Sequence, residues 1–570
     1  MLFSGRGRMK FRSQQLFTKE SYLSPRGAYK SMGYGGDDFK KPVIGIANSF
    51  SELVPGHVNL RELADWVKRG IYAAGGVAVE FGIIATCDGL SCGHKGMLFS
   101  LPSRDVIADE IEIVAEANLL DGVVMLGSCD KIVPGMLMAS ARLEIPSLVV
   151  CGGPMLAGMP FDGRNSDITS LTEGFGMYKT GKITKEELTL LEDQCAPTIG
   201  SCQFIGTANT MCCLAEVMGV SLPGSGSIPA VYAERKRAAQ EAGETIVEMV
   251  MKGMNQQTII TRESIQNAII ALNAFGGSTN AVIHLLALGN EIDIPHEEML
   301  GWFKKYQDIT PLIAKIYPAS KYTMTDFYLS GGVPQMLKEL DGHGLLFGDC
   351  MTGNGRTMAQ NIKEYKSAFK PDRNVIKTFK EPFAASGGVV IIEGNLAPET
   401  GVTKPAAIPE EMHHFKGRAV VFESEEEASE AIAAQQIKPG TIVVIRYEGP
   451  RGGPGMREMF SAMKLLYGLG LGKSTAVVTD GRFSGTNNGC FVGHISPEAA
   501  MGGPIAIVEN GDEITIDIPN RTLTLHVSDE IIAERMKSWK APALKYTKGH
   551  LSRYAKMAQS ANTGGILKLE

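Results

Sequence analysis

Cys129, Asp130 and Lys131 stand side by side in the stretch Gly127-Ser128-Cys129-Asp130-Lys131-Ile132-Val133-Pro134-Gly135. A thiol, a carboxylate and an amine in one turn can do metal chemistry: thiolate suits soft metals such as iron or zinc, and carboxylate suits hard ones such as magnesium. The plainer alternative is a turn with a core cysteine and a surface ion pair, since free cysteine is often simply buried. Similar residues recur along the chain. The run Phe81 to Thr86 leads straight into Cys87-Asp88-Gly89, and Cys202 ends PTIGSC (197–202), ahead of a predicted helix from about Ala208 to Met218. A thiol near a helix N-terminus is more readily deprotonated, as a metal ligand must be. GGSTN (276–280) is either an anion-binding loop of backbone N–H groups or a tight helix junction. Further on, a Gly/Pro-rich loop from Tyr447 ends in the carboxylate of Glu458, and TDGRFSGT (479–486) offers Ser484 among glycines.

The elements that must position these residues are legible from periodicity. Pro42 to Asn48, Phe81 to Thr86, Gly122 to Leu126 and Ser147 to Cys151 are short apolar runs that read as buried strands. Between them, His57 to Gly75 and a segment after Ser103 carry apolar residues at helical spacing. Strands alternating with helices predict a parallel sheet with helices on its faces. One rim of that sheet then collects Asn48, Asp88 and Cys129-Asp130, and the carboxyl rim of an open α/β sheet is where ligands bind. Residues 164 to 195 are polar and read as an excursion containing helix. Near residue 375 the character changes to short β-like runs: Val389 to Ile392, Arg418 to Phe422, Thr441 to Ile445 and Thr475 to Val478. Ile514, Ile516 and Ile518 alternate, Pro519-Asn520-Arg521 intervenes, and Leu523, Leu525 and Val527 alternate again, which predicts a hairpin. The expected organisation is α/β: an N-terminal parallel-sheet domain over 1–375 and a β-rich, barrel-like domain over 376–570 that supplies Glu458 and Ser484.

At 570 residues the chain exceeds one ordinary core. A net charge of −6 argues against nucleic acid as partner. Ten scattered cysteines do not form a secreted disulfide framework; they predict a reducing compartment, the cytoplasm, with thiols free to hold metal. The longest apolar stretch, Ala268 to Leu288, is interrupted by polar residues and reads as helix, loop and helix, not a membrane span. The basic N-terminus lacks a signal-peptide core, and Met9 is an alternative start. GLGLGKS (468–474) fails as a phosphate-binding loop, because its spacing is wrong and it joins helix to strand. No C-x-x-C pair favours zinc, and the adjacent Cys212 and Cys213 read as core.

Taken in order, NSFSELVPGHVNL (48–60), CDGLSCGHKGM (87–97), SLPSRDVIAD (100–109), SCDKIVPGMLMAS (128–140), PTIGSC, GGSTN, GNLAPETGVTK (394–404), GPRGGPGMREM (449–459) and TDGRFSG (479–485) resemble the dihydroxy-acid dehydratase family. That family also contains the sugar-acid dehydratases and phosphogluconate dehydratase. The resemblance implies Cys129 and Cys202 as iron–sulfur ligands, Asp88, Asp130 and Glu458 as magnesium carboxylates, Lys131 as a carbamylated lysine that joins them, and Ser484 as general base. Carbamylation turns a repelling cation into an oxygen donor. Members with a three-cysteine 2Fe–2S site carry cysteine where this chain has Gly56. The cluster is therefore expected to be 2Fe–2S or 4Fe–4S, with Cys87, Cys92 and Cys195 as alternatives for a third ligand. The implied reaction removes water from a 2,3-dihydroxy carboxylate to give a 2-oxo acid, without nicotinamide. The GHVNL and DGRFSG forms point to the branched dihydroxy acids of valine and isoleucine biosynthesis; a sugar-acid (aldonate) substrate is the alternative. A non-enzymatic iron–sulfur scaffold would leave Glu458 and Ser484 without a role. A homodimer or dimer of dimers is expected, with no membrane or nucleic-acid partner.

Overall fold

In the computed structural model, which describes residues 11–483 and 489–568, the first half of the chain builds a four-stranded parallel sheet of order β2-β1-β3-β4. Its strands are β1 (Val43–Asn48), β2 (Val77–Gly82), β3 (Gly122–Gly127) and β4 (Ser147–Cys151). β1, β3 and β4 are buried along their whole length, as strands covered on both faces must be. The helices Leu60–Ala73, Ser100–Ala117 and Ile132–Arg142 pack beside it. Pro134 lies in the first turn of the last of these, where its missing N–H costs nothing.

The expected strand Phe81 to Thr86 is displaced. β2 starts four residues earlier because Val43 pairs with Val77, and the register runs out at Gly82 opposite Asn48. Residues 83–87 continue beyond the strand as irregular chain, which carries Cys87-Asp88 over the rim.

The excursion after β4 contains the two-residue strands β5 (Pro160–Phe161) and β6 (Arg164–Asn165) and two helices, Ser170–Lys179 and Lys185–Gln194. The apolar stretch at 268–288 is helix Arg262–Ala274, loop and helix Asn280–Glu291, all in the core. Among the described residues no helix is long and apolar enough to cross a membrane.

The second half closes an eight-stranded barrel of order β10-β11-β12-β8-β7-β14-β13-β9. In chain order its strands are β7 (Val390–Gly394), β8 (Ala397–Thr403), β9 (His414–Phe422), β10 (Thr441–Ile445), β11 (Ala476–Thr479), β12 (Cys490–Ser496), β13 (Glu513–Asp517) and β14 (Thr522–Leu525). β13 and β14 form the expected antiparallel hairpin. Alternation sorts the two layers. Ile442 and Val444 of β10 fill the barrel core, whereas Val443 and Ile445 face the layer that also holds Ala428, Ile432, Met463 and Leu466 of the outer helices Glu425–Ala433 and Phe460–Gly468. GLGLGKS is the turn between the second of these helices and β11.

Candidate active site

Four loops at the carboxyl rim of the parallel sheet stack on one another. Ser201 N–H donates to the Gly153 carbonyl at 2.9 Å, Met155 N–H donates to the Ser201 carbonyl at 2.8 Å, and Gly200 N–H donates to the Pro55 carbonyl at 3.1 Å. Gly200 has φ +139°, and a β-carbon there would stand 2.3 Å from Met155 N, so only glycine permits this approach. Asn209 Nδ2 donates to the Cys202 and Phe204 carbonyls at 2.6 and 2.7 Å and fixes the turn that presents Cys202. His57 fixes Cys129. Its Nδ1 lies 2.7 Å from the Ser49 carbonyl and its Nε2 accepts the Cys129 N–H at 3.1 Å, which requires the Nδ1–H tautomer. Burial pushes this imidazole down to about 4, so it stays neutral.

These loops enclose a cavity of about 680 Å³ lined by Cys87, Cys129 and Cys202, by Asp88, Asp130 and Glu458, and by Gly56. Ligand oxygens of Asp88, Asp130 and Glu458 all lie within 4.8 Å of one another. Asp88 and Asp130 come from the first half of the chain. Glu458 comes from the loop after β10, bridged to the residues after β11 by a parallel pairing with Arg482. That loop is held by carboxylates: Asp480 accepts from Tyr447, Glu448 and Ala499 N–H at 3.1, 3.0 and 2.8 Å, and Glu498 accepts from Arg451 and Gly452 N–H at 2.9 and 2.8 Å.

Lys131 is fully buried with Nζ 2.9 Å from Asp88 Oδ2 and 4.0 Å from Asp130 Oδ2. Arg482, also fully buried, spans the two halves: its guanidinium reaches Asp88 Oδ2 at 2.8 Å, Glu458 Oε2 at 2.5 Å and the Met456 carbonyl at 2.7 Å. Ser100 Oγ also donates to Asp88. Burial raises the Asp88 pKa, but Lys131 and Arg482 outweigh it and hold this carboxyl well below the usual range. Asp130 goes the other way, pushed up to about 7 by burial and then by Asp88. The Ala208 N–H donates to Asp130 at 3.1 Å, from the first turn of helix Thr207–Val217.

GGSTN proves to be a buried junction that joins the halves. Thr279 Oγ1 donates to the Phe483 carbonyl at 2.8 Å, and Asn280 Nδ2 donates to Glu458 Oε2 at 3.1 Å. Ser484 lies outside the described residues, immediately after that anchored carbonyl. The expected easy deprotonation of Cys202 is not found: burial, then Asp130, pushes its thiol well up, and the helix begins five residues later at Thr207. Asn48 is structural, its amide donating to Glu80 at 2.7 Å. The sequence pattern missed Arg482 and His57 as functional positions; both sit inside motifs quoted above, but their partners are far away in the chain.

The chain matches the N-terminal domain of the dihydroxy-acid/6-phosphogluconate dehydratases over residues 41–361 and their C-terminal domain over 374–565. It is 49% identical over 545 residues to the dihydroxy-acid dehydratase of Caldanaerobacter subterraneus subsp. tengcongensis, covering 95% of this chain and 97% of the relative. It is 47% identical over 545 residues to that of Pyrococcus furiosus, with the same coverage. The dihydroxy-acid dehydratase of Aquifex aeolicus is 45% identical over 560 residues, covering 98% of this chain and 100% of the relative.

Proposed function

The chain belongs to the dihydroxy-acid/6-phosphogluconate dehydratase family, and we infer that it is a dihydroxy-acid dehydratase, a hydro-lyase converting 2,3-dihydroxy-3-methyl carboxylates to 2-oxo acids and water in valine and isoleucine biosynthesis. The observation that carries the substrate is the cavity wall. Away from the thiols and carboxylates it is mostly apolar, with Met155, Ile168, Leu171, Ile199, Phe204 and Phe460 beside the smaller Thr169, Thr172, Thr198, Ser201 and Thr207. A branched aliphatic end fits such a wall. An aldonate would set its hydroxyls against those six apolar side chains, at about 1–3 kcal/mol for each one left unsatisfied.

Asp88, Asp130 and Glu458 fit a magnesium ion, being hard oxygen donors gathered in one place, with Asp88 and Glu458 buried and Asp130 half-buried. Cys129 and Cys202 fit an iron–sulfur cluster, being thiols on separate rigid turns around one cavity. When bound, magnesium supplies a hard Lewis acid for the substrate carboxylate and C2 hydroxyl, and the cluster supplies a softer one for the departing C3 hydroxyl. Charge favours Lys131 as a carbamate. With the carboxylates counted as ionised, three negative groups face Lys131 and Arg482, leaving one net negative charge. Forming the N–C bond to carbon dioxide releases two protons from the ammonium and leaves a carbamate. Together with a divalent cation this keeps the buried charge unchanged, whereas either change alone shifts it by two, which a buried site resists.

Arg482 keeps the carboxylates of both halves in register, so each needs the other half in place. Ser484, which lies outside the described residues, is assigned on the family resemblance as the base that takes the C2 proton. Loss of hydroxyl from C3 as water leaves an enol that tautomerises to the 2-oxo acid. Ten free thiols agree with a reducing cytoplasm, and a homodimer is proposed on family resemblance, to be checked by sedimentation. The deciding experiment compares turnover of 2,3-dihydroxyisovalerate with a panel of aldonates after anaerobic reconstitution. Faster turnover of any aldonate refutes the substrate assignment.

A further inference from the structure

Gly56 leaves the thiol pocket without a side chain from its own loop. A β-carbon built there would stand 3.1 Å from Cys129 Sγ and 3.3 Å from the Ser201 backbone, between the turns that carry Cys129 and Cys202. A cysteine at this position would therefore enter the same space. Three other cysteines stand near in motif terms, and the fold separates them.

Cys195 is absent from the cavity lining; it lies buried at the end of helix Lys185–Gln194, its Sγ 3.9 Å from the Glu192 carbonyl. Cys92 lines the cavity, but its thiol is turned to the Asp88 carbonyl, to which it donates at 3.1 Å. Cys87 lines the cavity together with Cys129 and Cys202. Its backbone is extended, φ −127° and ψ 121°, so its side chain and that of Asp88 leave the chain on opposite sides. Cys87-Asp88 thus repeats Cys129-Asp130: each dipeptide brings a carboxylate to the oxygen cluster and a thiol to the same cavity.

Resting on the iron–sulfur reading above, we propose that Cys87 is the third cysteine ligand of the cluster in this chain, taking the role that the missing side chain at Gly56 cannot. Each of Cys87, Cys129 and Cys202 gives up its thiol proton on ligating iron. Three thiolates from the chain would suit a cluster of four irons in which one iron keeps no protein ligand.

The test uses full-length wild type, Cys87→Ser, Cys92→Ser, Cys195→Ser and Cys129→Ser, each reconstituted anaerobically with ferrous iron and sulfide. Iron and acid-labile sulfide per chain are measured, with the electron paramagnetic resonance spectrum of the reduced protein. Cys87→Ser should hold less than a third of wild-type iron and sulfide, or a cluster with shifted g-values from an oxygen ligand; Cys92→Ser and Cys195→Ser should match wild type. Wild-type content with unchanged g-values in Cys87→Ser overturns the proposal while leaving the cluster reading intact, provided Cys129→Ser loses its cluster. Wild type that takes up no iron and sulfide overturns both. Should Cys87→Ser not fold, differential alkylation of wild type decides: Cys87 should label before reconstitution and be blocked after it, and equal labelling overturns the assignment.

Discussion

Gly455→Ala isolates the contact between the two halves of the proposed active-site cavity. Gly455 precedes Glu458 by three residues and has φ +100°; a β-carbon there would stand 2.0 Å from the Leu98 carbonyl oxygen and 3.0 Å from Pro102 Cδ. Leu98 lies in the short 3₁₀ helix that leads into Ser100, the residue that donates to Asp88. Carbon and carbonyl oxygen touch at about 3.3 Å, so the Glu458 loop must retreat by more than about 1 Å. A displacement of that size from a reacting centre costs on the order of 10²-fold in rate. Left-handed strain on alanine adds about 1–3 kcal/mol of lost stability. Gly440→Ala controls for the strain, since Gly440 has φ +84° and nothing within 4 Å of its would-be β-carbon. Reconstituted Gly455→Ala should turn over 2,3-dihydroxyisovalerate about 10²-fold more slowly, with weaker magnesium binding. Its iron and sulfide should be unchanged, because Cys129 and Cys202 belong to the other half. Gly440→Ala should lose stability in thermal unfolding and keep its turnover. Turnover of Gly455→Ala within about threefold of wild type, a deficit under 1 kcal/mol, would show that the Glu458 loop need not be so close.

Arg482→Lys keeps the charge but cannot reach Asp88, Glu458 and the Met456 carbonyl together; magnesium affinity by titration should fall at least about tenfold while cluster absorbance stays. Protein stripped of magnesium and carbon dioxide should regain activity with bicarbonate and magnesium together and with neither alone, and Lys131→Ala should not respond; full recovery with magnesium alone would exclude the carbamate. Ser484→Ala should retain both metals, lose at least about 10²-fold in turnover and lose solvent exchange at C2; more than about a tenth of wild-type turnover would identify another base. Leu171→Asn should raise KM for 2,3-dihydroxyisovalerate by about tenfold or more with iron and magnesium content unchanged, and an unaltered KM would remove Leu171 from the substrate wall.

The parts of this fold legible in the sequence are those with a local period. β1, β3 and β4 are short apolar runs closed by polar residues, so the rim and its Cys129-Asp130-Lys131 turn follow from the pattern. β2 does not, because its position is set by pairing with β1, and the more apolar run at 83–86 is the connection that spills over the rim. β10 is legible as the short apolar run Thr441 to Ile445, but which residues face the barrel core (Ile442, Val444) and which the outer helices (Val443, Ile445) is not, because both faces are apolar. Pairings across hundreds of residues carry no period. Arg482 meets Asp88 across 394 positions, and Asn280 meets Glu458 across 178. What the sequence does hold is the chemical type of each partner, and one repeated dipeptide whose meaning depends on backbone shape. Cys87-Asp88 follows β2 across the irregular stretch 83–86, and Cys129-Asp130 stands in the turn after β3. On loops flanking the one after β1, the two pairs bring two thiols and two carboxylates to the lining of one cavity. A substrate that must have a proton removed at C2 and a hydroxyl removed at C3 needs both kinds of donor close together, because the two events occur on adjacent carbons. The adjacency of the two kinds of donor in the fold therefore begins as adjacency in the chain.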